Sequence, residues 1–293
     1  MDAVITYVNG LDPVWQAQYT QAMNVAPITK RYRDWGTLKY LFRGIEQHLS
    51  DVNNVFLVVS GESQVPEFVN RDRVKIVCHN DIIPQEYLPT FSSNTIEIFL
   101  HRIEGLSERF LYFNDDMFPV ADMREDEFFT DNKIIFGYSK HLIINNLYKR
   151  SVFNSDRLVR RLLKKRHCLS FVRPQHTCTP MLKSESEKLF QSAGEEICKL
   201  ITPVRKPENV SQFIYPDYLY FQNRVIRRRV SNKHISPSVH SAAKTAGYIT
   251  DPVTKLVNIN DVEMSAGDYE QFHKVIIDAF ERHFPKKSVF EAL

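Results

Sequence analysis

A chain of 293 residues with 43% hydrophobic and 25% charged side chains is long enough for one large domain and has the composition of a folded globular protein. Glycine and proline number only 9 and 14 and the net charge is +3, which excludes an extensively disordered or low-complexity chain. The four cysteines, Cys78, Cys168, Cys178 and Cys198, have no C-x-x-C spacing, which argues against a zinc ribbon or a disulfide framework and for reduced thiols.

The N-terminus, Met1-Asp-Ala-Val-Ile-Thr-Tyr-Val8, lacks the basic segment and small-residue cleavage site of a signal peptide, and no apolar run has bilayer length. A cytoplasmic protein is the expectation. Residues 3–8 form an apolar run closed by Asn9-Gly10, the pattern of a buried strand and a turn. Leu38, Leu41, Phe42 and Ile45 then recur at helical spacing, and residues 54–60 and 74–77 read as two further strands. Asn94 with Glu97 resembles a capping box that opens a helix carrying Ile96, Leu100 and Ile103. A fourth strand spans 110–113. This alternation predicts an α/β fold, a mostly parallel sheet with helices on both faces.

From about 138 the chain becomes more basic and more helical. The expected organisation is a single catalytic domain: an α/β core over 1–137, a helical insertion or lid over 138–235, and a return to the core over 236–293. Residues 255–259 resume strand character, and a last helix carries Tyr269, Phe272, Ile276 and Phe280 on one stripe before Pro285.

Two basic clusters stand out. Residues 157–166 hold six Lys/Arg and no acid, and 224–229 hold four arginines. These could meet a phosphate-rich ligand or an anionic membrane surface at the inner face. For the first cluster a solvated helix face is the alternative, because Leu158, Val159, Leu162 and Leu163 occupy the opposite stripe. Aromatic residues are interleaved with core patterns rather than with the basic runs, so nucleic acid is not an expected partner.

The chemistry is concentrated at one strand end, Phe110-Leu-Tyr-Phe-Asn114-Asp115-Asp116. In α/β proteins sites form beyond the carboxyl ends of strands. Adjacent carboxylates there repel each other and lose hydration, so they call for a cation; Mg²⁺ or Mn²⁺ suits carboxylate oxygens and bridges to phosphates. A solvated acidic turn is the alternative. The strand 255–259 repeats the pattern and ends in Asn260-Asp261, which could join the same cation or simply cap the next helix. Asn9, Gly10 and Asp12 follow the first strand, where a nucleotide would lie. Arg33 could grip a phosphate bidentately, with Asp34 holding it or capping a helix. His79 and Asp81 read as structural, and His101 and Arg102 are open between site and packing.

Four blocks resemble the Stealth family of sugar-phosphate transferases. The first is Val4-Ile-Thr-Tyr-Val-Asn-Gly-Leu-Asp-Pro13, with Tyr7 where the family usually has tryptophan, a change expected to affect packing. The second opens at Arg31-Tyr-Arg-Asp34 and runs through Leu38-Lys-Tyr-Leu-Phe-Arg-Gly-Ile45, His79-Asn-Asp-Ile82, Leu88-Pro-Thr-Phe-Ser-Ser-Asn94 and His101-Arg-Ile-Glu-Gly-Leu-Ser-Glu-Arg-Phe110 to Tyr112-Phe-Asn-Asp-Asp116. The third surrounds Gln175-His176 and Pro180, with the proline further from the histidine than is usual. The fourth is Asn258-Ile-Asn-Asp261 plus the tail from Phe280 to Glu291.

The resemblance implies a Rossmann-like, nucleotide-sugar-binding core and transfer of a hexose-1-phosphate from a UDP-sugar to the hydroxyl of a glycan or phosphoglycan acceptor, with release of UMP, in capsule or exopolysaccharide synthesis. It further implies a divalent cation, Mg²⁺ or Mn²⁺, on Asp115 and Asp116, one of which could instead act as general base, with Asn260 and Asp261 completing the metal or phosphate shell. Donor binding then falls to Asn9, Gly10, Asp12, Arg33, Asp34 and Asn114, and proton transfer to His176, whose imidazole titrates near neutral pH.

Overall fold

A computed structural model describes residues 1–27 and 32–292. Arg31, which opens the second motif block, lies outside the described residues. In chain order the strands are β1 (Asp2–Thr6), β2 (Val55–Val59), β3 (Val74–Cys78), β4 (Arg109–Asn114), β5 (Met117–Pro119), β6 (Phe129–Thr130) and β7 (Lys133–Phe136). They continue as β8 (Tyr138–His141), β9 (Phe171–Pro174), β10 (Thr179–Leu182), β11 (Val225–Arg227), β12 (Asn232–Ile235) and β13 (Leu256–Ile259). The chain forms two compact units. One comprises Met1–Asp2, Val77–Tyr112 and Asp126–Arg229; the other comprises Ala3–Ile76, Phe113–Glu125 and Val230–Leu293.

The second unit is built on β1 and β2. These run parallel, with Ala3 opposite Val55 and Thr6 opposite Val58. Every residue of β2 is buried, as expected for a strand covered on both faces. The helix Leu38–His48 packs against β5, and the approach is close at Gly44: a Cβ there would sit 2.5 Å from the Pro119 carbonyl oxygen, so only glycine fits. A short sheet orders β12, β13 and β5. β12 and β13 are parallel, whereas β13 and β5 are antiparallel with Asn258 opposite Met117.

The final helix, Ala266–His283, is joined to Leu38–His48 by a polar knot. Arg43, 7% exposed, donates from Nε and Nη2 to the two carboxylate oxygens of Glu291 (2.8 and 2.9 Å) and from Nη1 to the Phe284 carbonyl (2.7 Å). The Tyr40 hydroxyl and Lys39 both donate to Glu281 (2.6 and 3.0 Å). These residues lie in the second and fourth motif blocks, so part of what those blocks encode is the joint between two helices. Their cost of burial is offset because every charge has a partner.

The first unit holds an antiparallel pair of β4 and β10, with Arg109 opposite Leu182 and Tyr112 opposite Thr179. It also holds a three-stranded sheet ordered β11-β7-β6, the antiparallel pair β8–β9, and the helices Leu147–Leu162, Lys183–Cys198 and Ile214–Phe221. The basic middle of the chain therefore carries three helices with strands interspersed. Leu158 and Val159 are buried, as the helical stripe requires, whereas Arg160 of the basic cluster is drawn in by the buried Asp156.

The expected capping box at Asn94 and Glu97 is not what opens its helix. That helix starts at Ser93, so Asn94 lies inside its first turn, and the buried Glu97 carboxylate instead accepts from the Tyr112 hydroxyl at 3.2 Å. The helix also stops at Ile98, and His101 and Arg102 belong to a separate 3₁₀ turn. His101 packs between Phe190 and Tyr215, and burial holds it down at about 4. Burial likewise lowers His79 to about 4, and Asp81 accepts from the Cys78 amide at 2.7 Å. No helix among the described residues is long and apolar enough to cross a membrane.

Candidate functional site

The apolar run of β4 ends at Asn114 because Asp115 and Asp116 form the tight turn into β5. The β5–β13 register then brings the other acidic strand end to this turn: the Ile259 amide donates to the Asp116 carbonyl at 3.0 Å. The Asn260 amide is fixed in turn by the Ile235 carbonyl of β12 at 2.9 Å. Asn114, Asp115, Asp116, Asn260 and Asp261 thus sit on neighbouring backbone at one end of the short sheet.

A second segment reaches the same place. Gly10 donates its amide to the Tyr32 carbonyl at 2.8 Å, and a Cβ on Gly10 would lie 2.3 Å from that oxygen. The close approach that requires glycine is therefore to the backbone preceding Arg33 and Asp34. Tyr32 is wedged against Trp15 and Tyr19, with ring centroids 4.8 and 5.6 Å away. The Tyr7 hydroxyl donates to Asp34 Oδ2 at 2.7 Å, and Asp34 Oδ1 accepts from the Gly36 amide at 2.8 Å. Tyrosine at position 7 is thus more than a packing substitute for tryptophan: it supplies the hydrogen bond that fixes Asp34. Burial, then the Asp34 carboxylate, pushes the Tyr7 hydroxyl well above its ordinary range.

Arg33 lies over the Tyr269 ring, 4.5 Å from its centroid, and its Nη1 stands 3.4 Å from Asp261 Oδ1. The guanidinium is thus poised by one carboxylate and one aromatic face, with most of its donors still directed elsewhere. Asp12 and Asn9 have local duties. Asp12 caps the helix Pro13–Met23, accepting from the Val14 and Trp15 amides at 2.7 and 3.0 Å. Burial alone would raise its carboxyl, but these amides and the side chains of Ser63 and Gln64 outweigh that and lower it. The Asn9 side chain accepts from the Leu11 amide at 2.9 Å, while its backbone is bracketed by Gln64 at 2.7 and 3.0 Å.

Electrostatically the site is acidic. Burial, then Asp116, then Asp34 push the Asp115 carboxyl up to about 8. Asp261 and Asp34 also bear on the Tyr269 hydroxyl, which burial raises first of all. Carboxylates and an amide are hard oxygen donors, and a divalent cation would offset the burial and the repulsion that raise Asp115, so the donor set fits Mg²⁺ or Mn²⁺. Among the described residues no group of three or more His, Cys, Asp or Glu is already gathered to hold a metal.

His176 belongs to the first unit, between β9 and β10, with the Tyr148 ring edge-on at 6.1 Å. Three contributors escaped the sequence reading. Tyr269 shares the stripe of Phe272, Ile276 and Phe280 but is only half-buried and carries Arg33. Gln64 brackets Asn9 from 55 residues away, and no local pattern marks it. Asn258 is fully buried beside the acidic turn and accepts from Asn232 at 3.4 Å; its signal was a polar residue inside the apolar run Leu-Val-Asn-Ile.

Residues 31–136 match Stealth protein CR2, conserved region 2. The capsular polysaccharide phosphotransferase WcwK of Streptococcus pneumoniae is 28% identical, aligned over 99% of this chain and 98% of its own length. The receptor polysaccharide phosphotransferase WefC of Streptococcus oralis is 43% identical over 45% of this chain, and the match spans 42% of that protein. A capsular polysaccharide phosphotransferase of Actinobacillus suis is 30% identical over 77% of this chain and 66% of its own length. Among solved structures, the galactosyltransferase LgtC in complex with donor and acceptor sugar analogs aligns over 95% of this chain and 96% of its own, at 11% identity and a TM-score of 0.46. Residues 31–136, which include the acidic turn, are thus a Stealth conserved region 2, and the full-length alignment extends the similarity to a capsular polysaccharide phosphotransferase over the rest of the chain.

Proposed function

We propose that the protein transfers a hexose-1-phosphate from a UDP-sugar to a hydroxyl of a glycan or phosphoglycan acceptor, in capsule or exopolysaccharide assembly at the inner face of the membrane. The acceptor oxygen attacks the β-phosphorus of the donor. The bond from that phosphorus to the bridging oxygen breaks, and UMP departs with the electron pair. The acceptor hydroxyl proton passes to His176 Nδ1 or Nε2, and the product is a phosphodiester.

In this reading Asp115 and Asp116 hold Mg²⁺ or Mn²⁺, with Asn260 and Asp261 completing the shell. The cation supplies charge neutralisation at the pyrophosphate. Arg33 donates to a donor phosphate, and Asp261 and the Tyr269 ring orient its guanidinium. Asp34, fixed by Tyr7, and Asn114 line the donor, while Asn9, Gly10 and Asp12 act through the backbone, keeping the Tyr32–Asp34 segment in place. The observation that carries the reading is the meeting of the Asp115-Asp116 turn with the Arg33–Asp261 pair, at a spot where burial, then Asp116 and Asp34, push the Asp115 carboxyl up to about 8.

The test is turnover of Asp115→Ala and Asp116→Ala in Mg²⁺, with folding followed by circular dichroism. Loss of transfer by at least about a thousandfold in a folded protein is expected, in line with removal of a principal electrostatic group. Retained activity in both variants would remove the metal-site assignment. For His176→Ala, a fall in kcat with donor affinity kept is expected, and an unchanged kcat would remove it as the base.

A further inference from the structure

The segment from Lys140 to Ser170 contains nine Lys/Arg and a single acid, Asp156. That acid is fully buried and already neutralised: its Oδ1 accepts from Arg160 Nε at 2.6 Å and its Oδ2 from the Val172 amide at 3.0 Å. The surface of the segment is thus almost purely cationic. Part of it also exposes large aliphatic side chains, which a solvated basic face does not need. Leu142, Ile143 and Leu169 are 68, 67 and 85% exposed.

The strand register brings these three together. β8 and β9 are antiparallel with His141 opposite Phe171, so Leu142 and Ile143 leave the ladder at the end where Leu169 and Ser170 enter it. The six residues from Lys164 to Leu169 are all exposed, and the loop is tied back to the helix Leu147–Leu162. Arg160 donates to the Arg166 carbonyl at 3.0 Å and Arg157 meets His167 at 3.0 Å. Lys140 and Arg160 both act on Cys168 in the middle of the loop, which places the charge of β8 beside it. The result is one edge with aliphatic tips at its apex and Lys140, Arg157, Lys164, Lys165 and Arg166 around them.

We propose that this edge docks the protein on an anionic lipid surface, with Leu142, Ile143 and Leu169 entering the headgroup boundary and the surrounding bases meeting lipid phosphates. The charge complementarity selects a polyanion, and the aliphatic apex selects a membrane over a soluble polyanion, which offers nothing for exposed leucine and isoleucine to enter. The inference rests on the membrane-face placement proposed above and is independent of the transfer chemistry.

The experiment is co-sedimentation of the full chain with vesicles of phosphatidylcholine alone and of phosphatidylcholine with phosphatidylglycerol. Hydrolytic or transfer release of nucleotide from a soluble donor is measured on the same samples, so that failed docking and failed catalysis are told apart. Binding to the anionic vesicles only is expected. Lys164→Glu/Lys165→Glu/Arg166→Glu should weaken it by more than about tenfold, because each base near an anionic surface contributes separately. Leu142→Ser/Ile143→Ser/Leu169→Ser should weaken it comparably, with residual binding that disappears in high salt. All six positions are exposed, so both variants should keep the circular dichroism and soluble-donor activity of the parent. Absence of parent binding to anionic vesicles would overturn the proposal. So would a serine variant that binds like the parent, because the edge would then be a polyanion site for an acidic glycan.

Discussion

Asp115 ties site chemistry to stability at the scale of a single residue. Its ordinary value is 3.8 and its folded value about 8, so the folded protein favours the protonated carboxyl. The stabilisation from that proton is fully present below about pH 4 and is lost as pH rises toward 8. Asp115→Asn, which fixes the neutral form, is therefore expected to raise the melting temperature of the metal-free protein at pH 8 and to leave it nearly unchanged at pH 4. Melting curves of both proteins at the two pH values check this, and a less stable variant at pH 8 would contradict it. Tyr7 makes the neighbouring case. Phenylalanine keeps the buried ring and removes only the donor to Asp34, so Tyr7→Phe is expected to cost transfer roughly tenfold or more in kcat/KM, the scale of a hydrogen bond to a charged group. Urea unfolding should show little change. Equal losses of stability and activity would instead make Tyr7 a packing residue. The carboxylates were legible because acids stand out at the end of an apolar strand. Tyr7 was not, because its partner lies 27 positions away and only the fold brings Asp34 to its hydroxyl.

Between elements, the joint of Leu38–His48 with the final helix and tail is held by ionised groups. Lys39, Tyr40 and Arg43 outweigh the burial that would raise Glu281 and bring it down to about 2, and Arg43 with the Ser288 amide likewise lowers Glu291. Lowered carboxyls stabilise above their ordinary value near 4.5, and that contribution disappears as pH falls through the folded value. Glu291→Ala leaves Arg43 with a buried, half-compensated charge and is expected to destabilise by about 3 kcal/mol at pH 7. The difference from the parent should shrink on acidification. Denaturant titrations at pH 7 and pH 3 measure it, and a difference that persisted unchanged at pH 3 would contradict the assignment to an ion pair. Helical spacing marked both helices, since Leu38, Leu41, Phe42 and Ile45 repeat at the helical period within Leu38–His48, and Tyr269, Phe272, Ile276 and Phe280 within Ala266–His283. The joint itself was invisible, because Arg43 lies off the apolar stripe and its partner Glu291 is 248 positions on. The capping box at Asn94 failed for a related reason: Glu97 found a stronger partner in Tyr112 across the unit than in the local backbone.

For the whole molecule, alternating strands and helices were enough to read the fold class, since a parallel pair such as β1–β2 needs a crossover between its strands. The division into units was not readable. Its boundaries at 76/77 and 112/113 fall inside β3 and β4, where neither composition nor periodicity changes. The sequence also announced the two acidic strand ends separately. Their meeting depends on the antiparallel register of β5 and β13, which pairs residues some 140 positions apart. That meeting, beside Arg33, carries the functional account, and its chemistry leaves a distinct product. The most direct measurement is the nucleotide released when the protein, in Mg²⁺ or Mn²⁺, is given a panel of UDP-sugars with short glycan acceptors. The account expects UMP together with a phosphodiester-linked product, both lost in Asp115→Ala. Release of UDP with a phosphate-free glycosidic linkage would contradict it, because attack would then have fallen on the anomeric carbon.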